Sequence, residues 1–177
     1  MIFQELALQG AYIIEPERWE DERGFFARTW CQREFEERGL DARIVQCSIS
    51  YNKRKGTLRG MHFQHPPHEE TKLVRCTAGV IYDVIIDLRR ESPTFRQSIG
   101  VELTADDGRA MYIPKGLAHG FQTLTDETVV FYQMSEYYAP QAARGVRWND
   151  SAFGIKWPIV PPPVISDKDG SYELFTW

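Results

Sequence analysis

The segment GTLRGMHFQHPPHEETKLVRC, residues 56–76, carries three of the chain's four histidines. His62, His65 and His68 recur at intervals of three, with Glu69, Glu70 and Lys72 close behind. Such a set could ligate a metal, do acid–base work, or do neither. A strand sends alternate side chains to opposite faces, so two metal ligands on one strand want an H-x-H spacing. His62 instead shares its face with Gln64, and Pro66-Pro67 is expected to end the strand. His65 and His68 then fall in a loop, where solvated histidines are commonplace. Loop folding could still bring His62, His68, Glu70 and the distant His119 around a metal, which stands as the alternative. His62 lies inside LRGMHFQ, flanked by apolar residues and glycine. A histidine there is either a hydrogen-bonded core residue or a poised base. A lone histidine in a strand is more often the former; its polar company raises the odds of the second, and spacing alone does not bring these groups together. Lys72 opens the next strand, Tyr132 and Tyr138 share a parity on VVFYQMSEYY, and His119 follows the turn PKGLAH.

These residues must be positioned by a mainly β scaffold. One segment, TWCQREFEERGL, reads as helix, with Thr29 as a cap and Gly39 as the stop. KLVRCTAGVIYDVIIDLRR is two β-rich runs broken at Ala78-Gly79, a hairpin pattern. RQSIGVELTADDGRAMYIP repeats it with Asp107-Gly108 as the turn, and ETVVFYQMSEYY is a further long strand. Strands punctuated every ten residues or so point to a β-sandwich or barrel. The tail WNDSAFGIKWPIVPPPVISDKDG, rich in proline and turn residues, should wrap the surface irregularly. With no repeat and no linker, residues 1–177 read as one domain.

Composition narrows the function classes. Hydrophobic residues make up 42% and charged residues 26%, ordinary for a globular protein. The net charge of −4 argues against a nucleic-acid or anionic-membrane partner. No stretch approaches the ~20 apolar residues of a membrane span, and the N-terminus lacks the pattern of a signal peptide. Cys31, Cys47 and Cys76 are odd in number and far apart, which fits reduced thiols and a cytoplasmic location.

Read in order, DERGFF, GTLRGMHFQ, KLVRCTAG, YDVIIDLRRESPTF, IPKGLAHGF, YYAPQAARGVRWND and ISDKD resemble the dTDP-4-dehydrorhamnose 3,5-epimerase family. The likeness runs from about Asp21 to Asp169. It implies a cupin-like jelly-roll β-sandwich with a few short helices, a site without metal or cofactor, and a homodimer. The implied substrate is a nucleotide-diphosphate-linked 4-keto-6-deoxy sugar. By position, His62 matches the family's general base, Tyr132 its acid on the opposite face, and Asp169 the carboxylate that orients the histidine. Lys72 matches the lysine near the C4 oxygen. Arg23, Gln46, Ser48, Arg59, His119 and Lys168 match substrate contacts, and Tyr138 the aromatic that stacks on the nucleobase.

The chemistry suits these types. Inverting a carbon beside a ketone removes an α-proton, forms an enolate and reprotonates from the other face. A neutral histidine can take that proton near neutral pH, with a carboxylate fixing its tautomer. An ammonium can meet the charge developing on the enolate oxygen, and tyrosine, protonated to about pH 10, can donate. Strict alternation would put Arg59 on the face opposite His62, unless Gly60 permits a bulge. The chain departs from the family pattern at Arg28, at Cys47-Ser48 and at Ala143, all of which map to substrate contacts. A mono-epimerase, an epimerase for another nucleotide, and a non-catalytic or metal-binding cupin are the alternatives to a cofactor-free 3,5-epimerase.

Overall fold

The computed structural model describes residues 1–176. The chain runs β1 (Ile2–Glu5), β2 (Tyr12–Glu15), β3 (Arg18–Asp21), β4 (Gly24–Ala27), α1 (Gln32–Glu36), β5 (Gln46–Asn52), β6 (Thr57–Gln64) and β7 (Lys72–Ala78). It continues through β8 (Val80–Asp87), β9 (Ser98–Thr104), β10 (Ala110–Ile113), β11 (Leu117–Thr123) and β12 (Thr128–Met134). Three short elements close it: β13 (Ala143–Gly145), β14 (Val164–Ile165) and α2 (Asp167–Gly170). One sheet has the order β1-β2-β10-β7-β12-β5, and the facing sheet β13-β6-β11-β8-β9, with β14 added parallel to β6. Strands β3 and β4 pair only with each other. This is the cupin-like sandwich expected.

Both supposed hairpins are corners instead. β7 and β8 lie in opposite sheets, as do β9 and β10, so the chain crosses the sandwich at Gly79 and again at Asp107-Gly108. The physical reason is burial. Residues 72–76 of β7 and 83–87 of β8 are covered on both faces, which suits a central strand of each sheet. Gly79 makes the corner possible: it has φ +78°, and a Cβ there would lie 2.3 Å from Thr125 Oγ1.

Three apolar layers hold the sandwich. Val74, Ile81, Ile85, Met111, Phe121 and Val130 fill the space between the sheets. Phe35 of α1 packs with Ile14, Leu73 and Tyr112 on the outside of the first sheet. Phe153 and Trp157, from the proline-rich tail, cover Leu58, Met61 and Val84 on the outside of the second. The tail is irregular as expected, yet it seals a core rather than merely wrapping the surface. The helix is shorter than its sequence pattern, and Cys31, not Thr29, caps it, with no side-chain bond. Gly39 does stop it. Its N–H reaches the Glu36 carbonyl, Leu40 N–H reaches that of Phe35, and Gly39 has φ +69°, a Schellman closure.

Candidate active site

A cavity of about 590 Å³ opens between the sheets, lined by β5, β7 and β12 on one wall and β6, β11 and β13 on the other. Its geometry starts from a defect in β6. Arg59 pairs with Phe121 of β11 and His62 with His119, so Gly60 and Met61 together oppose Gly120 alone. This two-against-one bulge reverses the alternation and turns Arg59 and His62 to the same cavity. Only glycine fits at its centre. Gly60 has φ +139°, and a Cβ would lie 2.6 Å from the Gly120 Cα.

The bulge also anchors the acid behind the histidine. Ser166 caps α2, its Oγ accepting from Asp169 N–H at 3.1 Å, which fixes the turn bearing Asp169. One Asp169 oxygen accepts from Gly60 N–H at 3.2 Å, and the other lies 2.8 Å from His62 Nε2. Burial works against the Asp169 charge, but the His62 hydrogen bond and charge, the Gly60 N–H and Lys168 outweigh it. The carboxyl is therefore held below its ordinary 3.8. An ionised carboxylate can only accept, so Nε2 carries the proton, and in the neutral imidazole the lone pair is on Nδ1.

Tyr132, at the middle of β12, lines the opposite wall. Burial holds its phenol far above the ordinary 10, the nearby Asp83 charge pushes it higher, and Arg59 offsets this only in part. The hydroxyl is a protonated donor at any physiological pH. Lys72 opens β7 and is buried, 3.0 Å from Glu70 Oε1 and 3.4 Å from the His62 carbonyl. His119 is buried against Asp83 at 2.6 Å, with its ring 5.9 Å from that of Tyr132.

Most of the residues singled out in the sequence meet here: His62, Lys72, Tyr132, His119, Arg59, Gln46, Ser48, Tyr138 and Lys168 line the cavity, and Asp169 backs it. Tyr138 arrives by another route than strand parity. β12 ends at Met134, and Tyr138 sits in the following loop, its N–H held by Gln46 Oε1 at 2.6 Å. Arg23 is not there. It tips the isolated β3–β4 hairpin, 89% exposed and paired with Asp21. Of the departures from the family pattern, Ser48 and Ala143 line the cavity. Cys47 is exposed and lies outside the lining. Arg28 pairs with Glu34 beside α1. His65 and His68 lie in the loop after β6, outside the lining.

Three contributors escaped the sequence, and a fourth, Glu70, entered it only as an alternative metal ligand. Gln64 pins the 137–139 loop, donating to the His68 and Tyr137 carbonyls and accepting from Ala139 N–H. Asp83 holds His119, Glu70 holds Lys72, and Tyr172 packs edge-on to His62 with ring centres 6.1 Å apart. The parity of Gln64 with His62 was a usable signal. Asp83 with His119 and Tyr172 with His62 join residues far apart in the chain that no spacing relates, whereas Glu70 stands only two residues before Lys72.

A cupin-like sandwich holding a histidine–carboxylate pair across a cavity from a buried phenol defines a class: acid–base enzymes that move protons at carbon. The chain belongs to the dTDP-4-dehydrorhamnose 3,5-epimerase family, whose model matches residues 5–176. The dTDP-4-dehydrorhamnose 3,5-epimerase of Salmonella typhimurium is 43% identical, over 98% of this chain and 95% of that one. The crystal structure of the Bacillus anthracis dTDP-4-dehydrorhamnose 3,5-epimerase, with TDP and PPi bound, superposes with a TM-score of 0.94. It is 42% identical and the match covers 98% of this chain and 99% of that one. The Legionella pneumophila dTDP-6-deoxy-D-glucose-3,5-epimerase, in complex with dTDP-4-keto-L-rhamnose, gives a TM-score of 0.91 at 36% identity, covering 98% and 92%.

Proposed function

We propose that this chain epimerises a nucleotide-linked 4-keto-6-deoxy sugar at C3, C5 or both, in the manner of a dTDP-4-dehydrorhamnose 3,5-epimerase and without a metal or cofactor. The observation that carries the reading is the opposed pair: His62, backed by Asp169, on one wall, and the buried Tyr132 phenol on the other. Charge supports the substrate class. Arg59, Lys72, Arg144 and Lys168 line the cavity against one acid, Glu70, which Lys72 neutralises. A chain of net charge −4 thus presents a cationic pocket suited to a diphosphate.

His62 Nδ1 takes the α-proton; the C–H electrons move into the ring and onto the C4 oxygen, giving an enolate. Lys72 lies where it can meet that charge. The enolate then collapses and its carbon takes the Tyr132 proton on the other face, which inverts the centre. The negative charge passes from enolate to phenolate without leaving the cavity, so the buried phenol never has to ionise alone. Solvent resets both groups between turnovers. Arg59, His119 and Lys168 are assigned to the sugar and diphosphate, and Tyr138 to the base. Gln46 holds the Tyr138 loop in place, and Ser48 lies beside Tyr132 across the ladder.

Arg23 is too far out to serve its own cavity, so we assign it to a partner's site in a homodimer. Three dispersed free cysteines favour a cytoplasmic enzyme. The test is incubation of dTDP-4-keto-6-deoxyglucose in deuterated water with NMR at C3 and C5. Deuterium and inversion are expected at one or both carbons, undiminished by exhaustive chelation. No exchange with dTDP-, CDP-, UDP- or GDP-linked 4-keto sugars would overturn the proposal. Exchange lost to chelator and restored by a divalent ion would favour the metal cupin.

A further inference from the structure

His62 is the exposed half of its dyad: its side chain is 43% accessible, that of Asp169 only 7%. One hydrogen bond from Nε2 fixes the distance to Asp169, but it leaves the imidazole free to tilt about that bond. A base that must meet a C–H within a few tenths of an ångström needs a second restraint.

The second contact is built from two residues. Gly145 of β13 lies directly across the ladder from His62, on the face where paired side chains touch. Having no side chain, it leaves a slot beside the imidazole, and the Tyr172 ring fills it. A Cβ on Gly145 would come within 2.3 Å of that ring. In this slot the ring meets His62 edge-on at 72°. Tyr172 leaves the same C-terminal turn that supplies Lys168 and Asp169. Burial pushes its phenol above the ordinary 10, so the ring beside the dyad stays neutral.

We propose that Tyr172, seated on Gly145, is a positioning residue: its ring sets the tilt of His62. The proposal rests on the epimerase reading. It places the restraint on the base beside the carboxylate that orients it, on one C-terminal turn, so that docking the turn assembles both.

The test measures kcat and KM for solvent-deuterium incorporation in Tyr172→Phe, Tyr172→Ala, Gly145→Ala and the Tyr172→Ala/Gly145→Ala double variant, with dTDP binding to each as the measure of folding. Tyr172→Ala should lower kcat roughly 10- to 100-fold, the scale of a misplaced reacting group. Tyr172→Phe keeps the ring, so as the conservative replacement it should rescue kcat to near that of the unmodified protein. Gly145→Ala should evict the ring and reproduce the kcat loss, yet add nothing in the Tyr172→Ala background, where the slot is empty. The His62 ring-proton resonances should shift in Tyr172→Ala and Gly145→Ala but hold in Tyr172→Phe. An unchanged kcat in Tyr172→Ala, a Tyr172→Phe as slow as the alanine variant, or additive losses in the double variant would overturn the proposal. If Tyr172→Ala does not bind dTDP, Tyr172→Phe and Gly145→Ala decide the matter on the same readouts. No exchange by the unmodified protein would instead defeat the epimerase reading, a distinct result.

Discussion

Two groups that act at different moments can be told apart by following exchange and inversion separately. If His62 removes the proton, His62→Asn stops both, because no enolate forms. Tyr132 acts afterwards, so Tyr132→Phe should block inversion more than exchange, returning substrate that is labelled but not inverted. Asp169→Asn should fall between, with a loss as large as ~10⁴ where a catalytic histidine loses its orienting carboxylate. Exchange by His62→Asn, or normal inversion by Tyr132→Phe, would refute these roles; NMR on all three variants reads both quantities. The same scale governs nucleotide choice. A stacking tyrosine holds any base, so discrimination must come from polar contacts at its edge and at the ribose. Ser48 and Ala143, two of the departures from the family pattern, put short side chains on the cavity wall. A weaker preference for dTDP over UDP, CDP and GDP is expected than is typical of the family. Strong selectivity for dTDP in competition binding would count against it.

Strands are held in register by their ends, and the connection after β8 shows how. Asp87 is fully buried and accepts from Arg89 N–H and guanidinium, Ser92 Oγ and Thr94 Oγ1. Burial alone would raise its pKa, but these donors outweigh it and bring the carboxyl from 3.8 to about 2. A depressed carboxylate contributes stability above its unfolded pKa and loses it as pH falls through the folded one. The contribution is about 2 kcal/mol at neutral pH, lost between roughly pH 4 and 2. Asp87→Asn should therefore lower the urea midpoint at pH 7, with a gap to the unmodified protein that narrows toward pH 2. A gap constant with pH would mean that the charge is not responsible. The motif RRESPTF around this turn was legible, as were the runs that form β7 to β10 and β12, the end of β6 before Pro66-Pro67 and the stop of α1 at Gly39. Which strands pair was not. A glycine at a strand break signals a turn but not whether the chain returns to its own sheet, and only the burial of β7 and β8 on both faces decides for the corner. The bulge at Gly60 was foreshadowed by the conflict between Arg59 and His62. By contrast, Asp83 and Tyr172 gained their roles through tertiary packing that carries no local period.

At the scale of the molecule, the β3–β4 hairpin pairs with neither sheet and exposes Trp19 (55%), Phe25 (57%) and Phe26 (71%). A lone two-stranded ribbon is marginal in water, and aromatic surface of that kind marks a contact. The edge strand β5 supplies a matching one. Ile49 and Tyr51 are exposed there and also line the mouth of the cavity. A hairpin docked on β5 of a second copy would cover both apolar patches, blunt an open sheet edge and bring Arg23 to the partner's cavity. Light scattering should give twice the 20.6 kDa chain mass. Phe26→Asp should shift that mass toward the monomer and remove turnover, whereas Arg23→Ala should stay dimeric and raise KM. The sharing of a site has its own test. Unfolding and refolding His62→Asn together with Arg23→Ala creates mixed dimers in which one cavity carries both defects and the other neither. Turnover at low substrate should then exceed that of either variant alone. If the mixture gives only the average of the two, Arg23 does not act across the interface.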